Sequence, residues 1–81
     1  MLTAKEIQES YLKKLKSDIE LMKVIDDVTE EIYTKLMVKE EYVYMVRFDI
    51  VTAKRVAFVL RTMGFKVTEY KHGKLHIEVV Q

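Results

Sequence analysis

The chain of 81 residues has no cysteine, no proline and no tryptophan, and its only glycines are Gly64 and Gly73. Without cysteine it has neither disulfide bonds nor a cysteine-ligated zinc site. The scarcity of glycine and proline makes both glycines strong turn signals. A domain of this size buries only about 60% of the surface of its unfolded chain. We therefore expect association between subunits to stabilise the fold.

Long hydrophobic runs are also missing, because charged residues make up 33% of the chain and are interspersed throughout it. The sequence thus predicts neither a transmembrane segment nor a signal peptide. With no disulfide framework and no export signal, we expect the protein to work in the cytoplasm and not in a membrane.

The formal net charge is +1, but the two halves of the chain differ in charge. Residues 1–40 contain seven lysines and nine acidic residues, whereas residues 41–81 contain seven basic and four acidic residues. This modest basic excess favours a small anionic ligand over double-stranded nucleic acid, because domains that bind nucleic acid usually have a pI above about 9. No helix-turn-helix spacing is present either.

The first half of the chain predicts helix. Thr3 and Glu6 have the spacing of a capping box, so a helix is expected to begin near Thr3. Apolar residues up to Met22 follow one helical face, and those from Ile25 onward follow a face rotated by roughly 90° at about 100° per residue. The weak helix formers at positions 26 and 27 lie near this change of phase. We predict a kink or break there, with a continuous helix spanning two subunits as the alternative.

Residues 41–49, EYVYMVRFD, predict a strand that is apolar on both faces. One face carries Tyr42, Tyr44, Val46 and Phe48, and the other carries Val43, Met45 and Arg47. A single small core covers only one of these faces. The second is expected to meet another subunit, the N-terminal helix or a ligand.

A short helix is predicted to follow this strand. Thr52 or Asp49 caps its start, and Gly64 takes the left-handed position after its end, with Phe65 folding back on Leu60. Its core face is predicted to consist of Ala53, Val56, Val59, Leu60 and Met63.

The remaining segment predicts a β-hairpin. A three-residue loop of residues 71–73, with Gly73 in the left-handed region, places Val67 opposite Ile77 and keeps the apolar residues on one face. A two-residue turn would mix the faces.

The predicted fold class is α+β, in the order α-α-β-α-β-β, with a long, kinked N-terminal helix and a three-stranded, mainly antiparallel sheet. The first strand is expected to pair with the last. We predict one domain over residues 1–81, made of a helical region over residues 1–37 and a βαββ unit over residues 40–80.

Catalytic patterns are not found in the sequence. There is no glycine-rich phosphate loop and no nucleophile elbow. His72 and His76 have no cysteine or aspartate at ligand spacing, so we predict no metal site and no cofactor. We expect a protein that is not an enzyme.

Two clusters are candidates for ligand binding. Phe58 points away from the core face of the short helix, and its neighbours on the helix surface are Lys54, Arg55 and Arg61. A ring surrounded by cations is suited to stack a base while the cations bind phosphates. In the alternative interpretation, Phe58 packs under the N-terminal helix or against another subunit. The cations around it then only keep the edge of this contact soluble.

The second cluster lies on the predicted sheet. Tyr42 and Tyr44 offer flat rings, and Arg47, Lys66 and His76 follow on nearby strands. Tyrosine and arginine suit an interface between proteins as well as a nucleotide site. The candidate ligand-binding residues are therefore Tyr44, Arg47, Lys54, Arg55, Phe58 and Arg61.

The whole layout resembles a class of short phage-encoded accessory proteins. The segments that carry the resemblance are residues 2–7 (LTAKEI), 24–32 (VIDDVTEEI), 59–67 (VLRTMGFKV) and 75–79 (LHIEV), with L-x-x-x-G-aromatic-x-V as the main motif. The class often ends in Ile-x-Ile-x-Trp, where this chain has IEVVQ, and often has a glycine before the first strand, where this chain has VKE. Individual binding residues are therefore not transferred.

The resemblance implies a small inhibitor in the host cytoplasm that binds without catalysis, since similar viral families include oligomeric sponges for cyclic-nucleotide signals of anti-phage defence. Two hypotheses follow. In the first, a homo-oligomer traps a cyclic di- or trinucleotide between subunits. In the second, the apolar strand and helix faces engage a host or virion protein.

Overall fold

The computed structural model describes residues 1–79, which form three α-helices and a three-stranded antiparallel sheet. The elements in chain order are α1 (Ala4–Lys16), α2 (Ile19–Lys39), β1 (Val43–Arg47), α3 (Ile50–Thr62), β2 (Lys66–Glu69) and β3 (Lys74–Glu78). The predicted α+β class and element order are confirmed. Val80, the last residue of the predicted unit over residues 40–80, and Gln81 lie outside the described residues.

The start of α1 has the predicted capping box. The backbone N–H of Glu6 donates to Thr3 Oγ1 at 3.1 Å, and the backbone N–H of Thr3 donates to Glu6 Oε1 at 3.3 Å. Two of the backbone donors at the helix start are thereby satisfied.

The helical region is divided in two as predicted, but the predicted position of the break is wrong. The chain leaves the helix at Ser17 and Asp18, and not at positions 26 and 27, which lie inside α2. The carboxylate of Asp18 accepts a hydrogen bond from the backbone N–H of Leu21 at 3.1 Å and so caps α2. The Ser17 hydroxyl donates to the carbonyl of Lys14 at 2.6 Å. These short polar side chains bond to the backbone more favourably at helix ends than in a helix interior.

With the break at this point, α2 has one apolar stripe in a single phase. Its buried residues follow a 4-3-4 spacing: Leu21, Ile25, Val28 and Ile32. Ile19, which the sequence pattern grouped with the first stripe, is 84% exposed at the start of α2. The rotation of roughly 90° between the two apolar stripes of the sequence pattern arises because α1 and α2 are separate helices, whereas the pattern treats them as one continuous helix.

The sheet has the order β1-β3-β2, so the first strand pairs antiparallel with the last, as predicted. The hairpin register is also confirmed, with Val67 opposite Ile77. Its three-residue loop contains two residues with positive φ, His72 at 63° and Gly73 at 75°.

Asp49 caps the start of helix α3, and Gly64, which follows the C-terminal cap residue Met63, has a φ of 97°. The N–H of Phe65 donates to the Leu60 carbonyl at 3.1 Å, and the N–H of Gly64 donates to the Arg61 carbonyl at 3.1 Å. This is a Schellman motif, as predicted. The placement of Met63 on the core face is wrong: it is 51% exposed because it caps the helix beyond the last turn, and Ala57 is buried instead.

The three helices contribute to one core against a single face of the sheet. The residues that are fully excluded from solvent lie at its centre: Val56, Ala57, Val59, Leu60, Leu75 and Ile77. Half-buried Tyr44 and Val46 of β1, and Phe48 directly after this strand, pack against it. The opposite face of the sheet carries no helix, because all three helices contribute to this one core.

The capping carboxylate of Asp49 makes stability depend on pH. It accepts hydrogen bonds from the backbone N–H of Thr52 at 2.9 Å and from the Thr52 hydroxyl at 2.7 Å, and these bonds lower the pKa of Asp49 below its ordinary value of 3.8. A lowered pKa in the folded state stabilises the protein above pH 3.8, and this contribution disappears as the pH falls through the folded-state pKa.

We therefore expect Asp49→Asn, which can still cap the helix, to flatten the loss of stability below about pH 4. Melting temperatures of both proteins between pH 6 and pH 2 test this expectation. Parallel acid profiles of the two proteins would contradict it.

Candidate functional site

The ring of Phe58 is half-buried between α3 and α1. It packs edge-to-face against Tyr11, with ring centroids 4.9 Å apart and an interplanar angle of 72°. Such aromatic pairs contribute about 0.5–1.5 kcal/mol beyond their buried area. Helix α1 thus covers part of the ring, as in the alternative interpretation of this cluster, while another part stays accessible.

The accessible part of Phe58 lines a groove of about 480 Å³ between the two helices. The other lining residues are Lys5, Gln8, Glu9, Leu12, Arg61 and Thr62. The floor is apolar and the rim is charged, so this groove can hold a flat apolar group next to an anionic one.

The three cations predicted around Phe58 take part in different contacts. The guanidinium of Arg61 donates to Glu69 Oε2 at 3.1 Å and to the Val67 carbonyl at 2.8 Å, which ties α3 to β2. The guanidinium of Arg55 lies 3.6 Å from Asp18 Oδ2. Both ion pairs are substantially exposed and contribute modestly to stability.

Lys54 lies apart from the groove beside Phe58. It lines a second groove, of about 370 Å³, between the start of α3 and the hairpin loop. Of the four α3 residues predicted to bind a ligand, only Phe58 and Arg61 thus share one groove.

Tyr44 and Arg47 lie on opposite faces of the sheet. The ring of Tyr44 faces α2, where the ammonium of Lys35 lies 5.3 Å from the ring centroid. Burial, and to a smaller extent the negative charge of Glu31, raise the pKa of the Tyr44 hydroxyl. The predicted alternation of the strand, with Tyr44 and Arg47 on opposite faces, is confirmed. These two candidate binding residues therefore do not share one surface of the sheet.

The helix-free side of the sheet, here called the open face, holds alternate residues of all three strands. Its members are Val43, Met45 and Arg47 of β1, Lys66 and Thr68 of β2, and Lys74, His76 and Glu78 of β3. Met45, at its centre, is 57% exposed.

Charges on the open face are divided between its two ends. At one end Glu78 Oε2 lies 4.0 Å from the Lys66 ammonium, and Glu78 Oε1 lies 3.5 Å from His76 Nε2. At the other end Arg47 and Lys74 are opposite one another in the β1–β3 register.

A groove of about 490 Å³ lies at this cationic end, lined by Met45, Tyr70, Lys71, Lys74 and His76. The Tyr70 and His76 rings are nearly parallel, with centroids 6.2 Å apart and an interplanar angle of 24°. The sequence pattern did not select Tyr70, Lys71 or Lys74 as binding residues. The register of the β2–β3 hairpin, which the sequence predicts, places His76 opposite Thr68. Lys74 lies opposite Arg47 because of the β1–β3 register, which the sequence pattern does not specify.

Another exposed apolar surface lies where α2 leads into β1. We call it the α2 patch; its residues are Tyr33, Met37, Val38 and Tyr42, each of which is substantially exposed. Clustered exposure of large apolar side chains is typical of interaction surfaces.

Within residues 1–79 no group of three or more His, Cys, Asp or Glu side chains lies close enough together to hold a metal ion. None of the helices in the same part of the chain is both long and apolar enough to span a bilayer. Comparisons with protein-family models, with curated proteins and with solved structures find no match to this chain.

Proposed function

We propose that this protein is a homo-oligomeric binding protein that sequesters a cyclic di- or trinucleotide and inhibits a signal of host anti-phage defence without converting the ligand. The observation that carries the proposal is the groove between α1 and α3, where the Phe58 ring lies beside Lys5 and Arg61. A base stacked on an aromatic ring and a phosphate near cations are the two contacts that a nucleotide needs.

Oligomerisation is supported by the amount of apolar surface that the chain leaves exposed. The residues of the α2 patch, together with Val43 and Met45 of the open face, are each at least 40% exposed. In a small domain, burying them between subunits adds stability that one core does not provide.

Light scattering of the purified protein, followed by thermal shift and calorimetry with a panel of cyclic di- and trinucleotides, tests the function. We expect one nucleotide to raise the melting temperature of a symmetric oligomer. A panel that leaves the melting temperature unchanged would contradict the proposal.

Site variants locate the ligand on this groove. Lys5→Gln is expected to weaken binding roughly tenfold, because it removes a charge-assisted contact, and to leave the oligomer intact. Lys13→Gln is the matched control on the same helix, since Lys13 is exposed and lies outside the groove. Arg61→Ala is also expected to abolish ligand-induced stabilisation, because Arg61 lines the groove. Arg61→Ala additionally removes the contacts to Glu69 and Val67, so its basal stability is measured separately.

A second candidate function is a protein-interaction module that engages a host or virion protein. The observation that favours it is the α2 patch, whose large apolar side chains are exposed. An oligomer indifferent to every nucleotide, together with a stoichiometric protein partner, would favour this function over sequestration.

A further inference from the structure

The cationic end of the open face contains two positive side chains in an unfavourable arrangement. Hydrogen bonds between Val79 N–H and the Tyr42 carbonyl, and between Phe48 N–H and the Gly73 carbonyl, fix the alternation along the β1–β3 ladder. By this alternation Arg47 and Lys74 form a non-hydrogen-bonded pair, in which side chains come closest. Like charges directly opposite one another in a sheet are destabilising.

Nothing in the described part of the chain neutralises this pair. The ion pairs formed among residues 1–79 include neither Arg47 nor Lys74, nor the neighbouring Lys71. At the opposite end of the same face, Glu78 lies between Lys66 and His76 and balances the charge of Lys66. The open face therefore has a neutralised end and an end with an excess of positive charge.

Flat side chains lie directly beside the excess charge. Tyr70 and His76 present nearly parallel rings in the groove that Lys71 and Lys74 also line, and Met45 forms an apolar wall next to them. His76 Nε2 is shielded from solvent and lies 3.5 Å from Glu78 Oε1. The groove thus combines a stacking surface with positive charge.

We propose that this groove binds a small nucleotide, with Arg47 and Lys74 holding the phosphodiester and with Tyr70 and His76 contacting the base. A phosphate between the two cations converts their mutual repulsion into two charge-assisted contacts. The rings supply stacking that tolerates any base. This inference rests on the proposed function for its ligand class, and it adds a second nucleotide-binding surface, distinct from the groove beside Phe58.

The size and charge of the face favour a small nucleotide over a polymer. The groove has a volume of about 490 Å³, and at the far end of the face the ammonium of Lys66 lies 4.0 Å from Glu78 Oε2. A long single strand needs a positively charged path along its backbone. The open face offers positive charge at one end only.

The test compares the double variant Arg47→Gln/Lys74→Gln with Lys66→Gln, a charge-removing control on the same face. Calorimetry and thermal shift use cyclic di-AMP, cyclic di-GMP, cyclic tri-AMP and a single-stranded oligothymidylate as probes. We expect the double variant to bind the cyclic nucleotide at least roughly tenfold more weakly, and Lys66→Gln to bind it as the unaltered protein does. Tyr70→Ala is expected to weaken binding to a similar degree, and Tyr70→Phe to preserve it.

The ligand-free melting temperature separates binding from structure. Removing the like-charge pair should leave the melting temperature of the double variant unchanged or higher, whereas a structural role of these residues would lower it. A cyclic nucleotide that binds the double variant with unchanged affinity overturns this site and leaves the proposed function standing. Binding of none of the cyclic nucleotides overturns both, and binding of the oligothymidylate alone shows that the face takes single strands instead.

Discussion

Gly73→Ala is expected to unfold the protein or leave it barely stable. Gly73 is buried at the tip of the hairpin with a φ of 75°, a conformation that alanine adopts only with strain. A Cβ added at this position would overlap the backbone carbonyl oxygen of Phe48, and the Gly73 carbonyl already accepts a hydrogen bond from Phe48 N–H at 3.0 Å. The end of β1 would have to separate from the hairpin to make room.

We estimate the loss in the free energy of unfolding at about 3–6 kcal/mol, from backbone strain and overpacking together. A domain of this length has a total stability of about 4–12 kcal/mol, so the substitution removes a large part of it. Urea denaturation followed by circular dichroism measures the effect.

Gly64→Ala is the matched control for this experiment. Gly64 also has a positive φ, of 97°, but an added Cβ there would meet no atom within 4 Å. We expect only the strain of the left-handed conformation, about 1–2 kcal/mol. Equal losses from the two substitutions would mean that the contact with Phe48 does not determine the requirement for glycine at the hairpin.

Ile25→Ala is expected to lower the free energy of unfolding by about 2–5 kcal/mol. Ile25 is 1% exposed in the middle of the α2 stripe and belongs to the buried core. Truncating a fully buried isoleucine removes its hydrophobic transfer energy and leaves a cavity that the neighbours fill only in part. Chemical denaturation measures the effect. An unchanged m-value would show that the free energy of unfolding has fallen without a change in the unfolded state.

Ile19→Ala on the same helix is the matched control, because Ile19 is 84% exposed. We expect a change within about 0.5 kcal/mol for the monomer, as for most surface substitutions. A large effect at position 19 that grows with protein concentration would place Ile19 in a subunit interface. Similar concentration-independent losses at both positions would contradict the division of α2 into a buried and an exposed face.

The sequence was informative wherever the interaction that decides the structure lies within a few residues. The capping box of Thr3 and Glu6 closes across three residues, and the Schellman motif at Gly64 closes across five. The hairpin register follows from its own loop and the alternation of its apolar residues. The break between α1 and α2 is equally local, but the change of phase near Asp26 was the more conspicuous signal and led to the wrong position.

The candidate site was predicted less completely, since its residues depend on contacts between distant segments. Phe58 points away from the α3 core face as its helical position requires, but the Tyr11 ring that covers it comes from α1. Arg55 and Arg61 are neighbours of Phe58 on the helix surface, yet Asp18 and Glu69 draw their guanidinium groups elsewhere. Helical spacing alone contains no information about these partners.

By itself, the sequence determined the class of the fold, the order of its elements, the start of α1, the two ends of α3 and the register of the β2–β3 hairpin. These features follow from caps, turn residues and periodicity, which act over one or two helical turns. Only the tertiary structure decided that Tyr44 faces α2 while Arg47 lies on the open face, and that Arg47 is opposite Lys74. The β1–β3 register joins strands separated by a whole helix, so it depends on how α3 packs across the sheet.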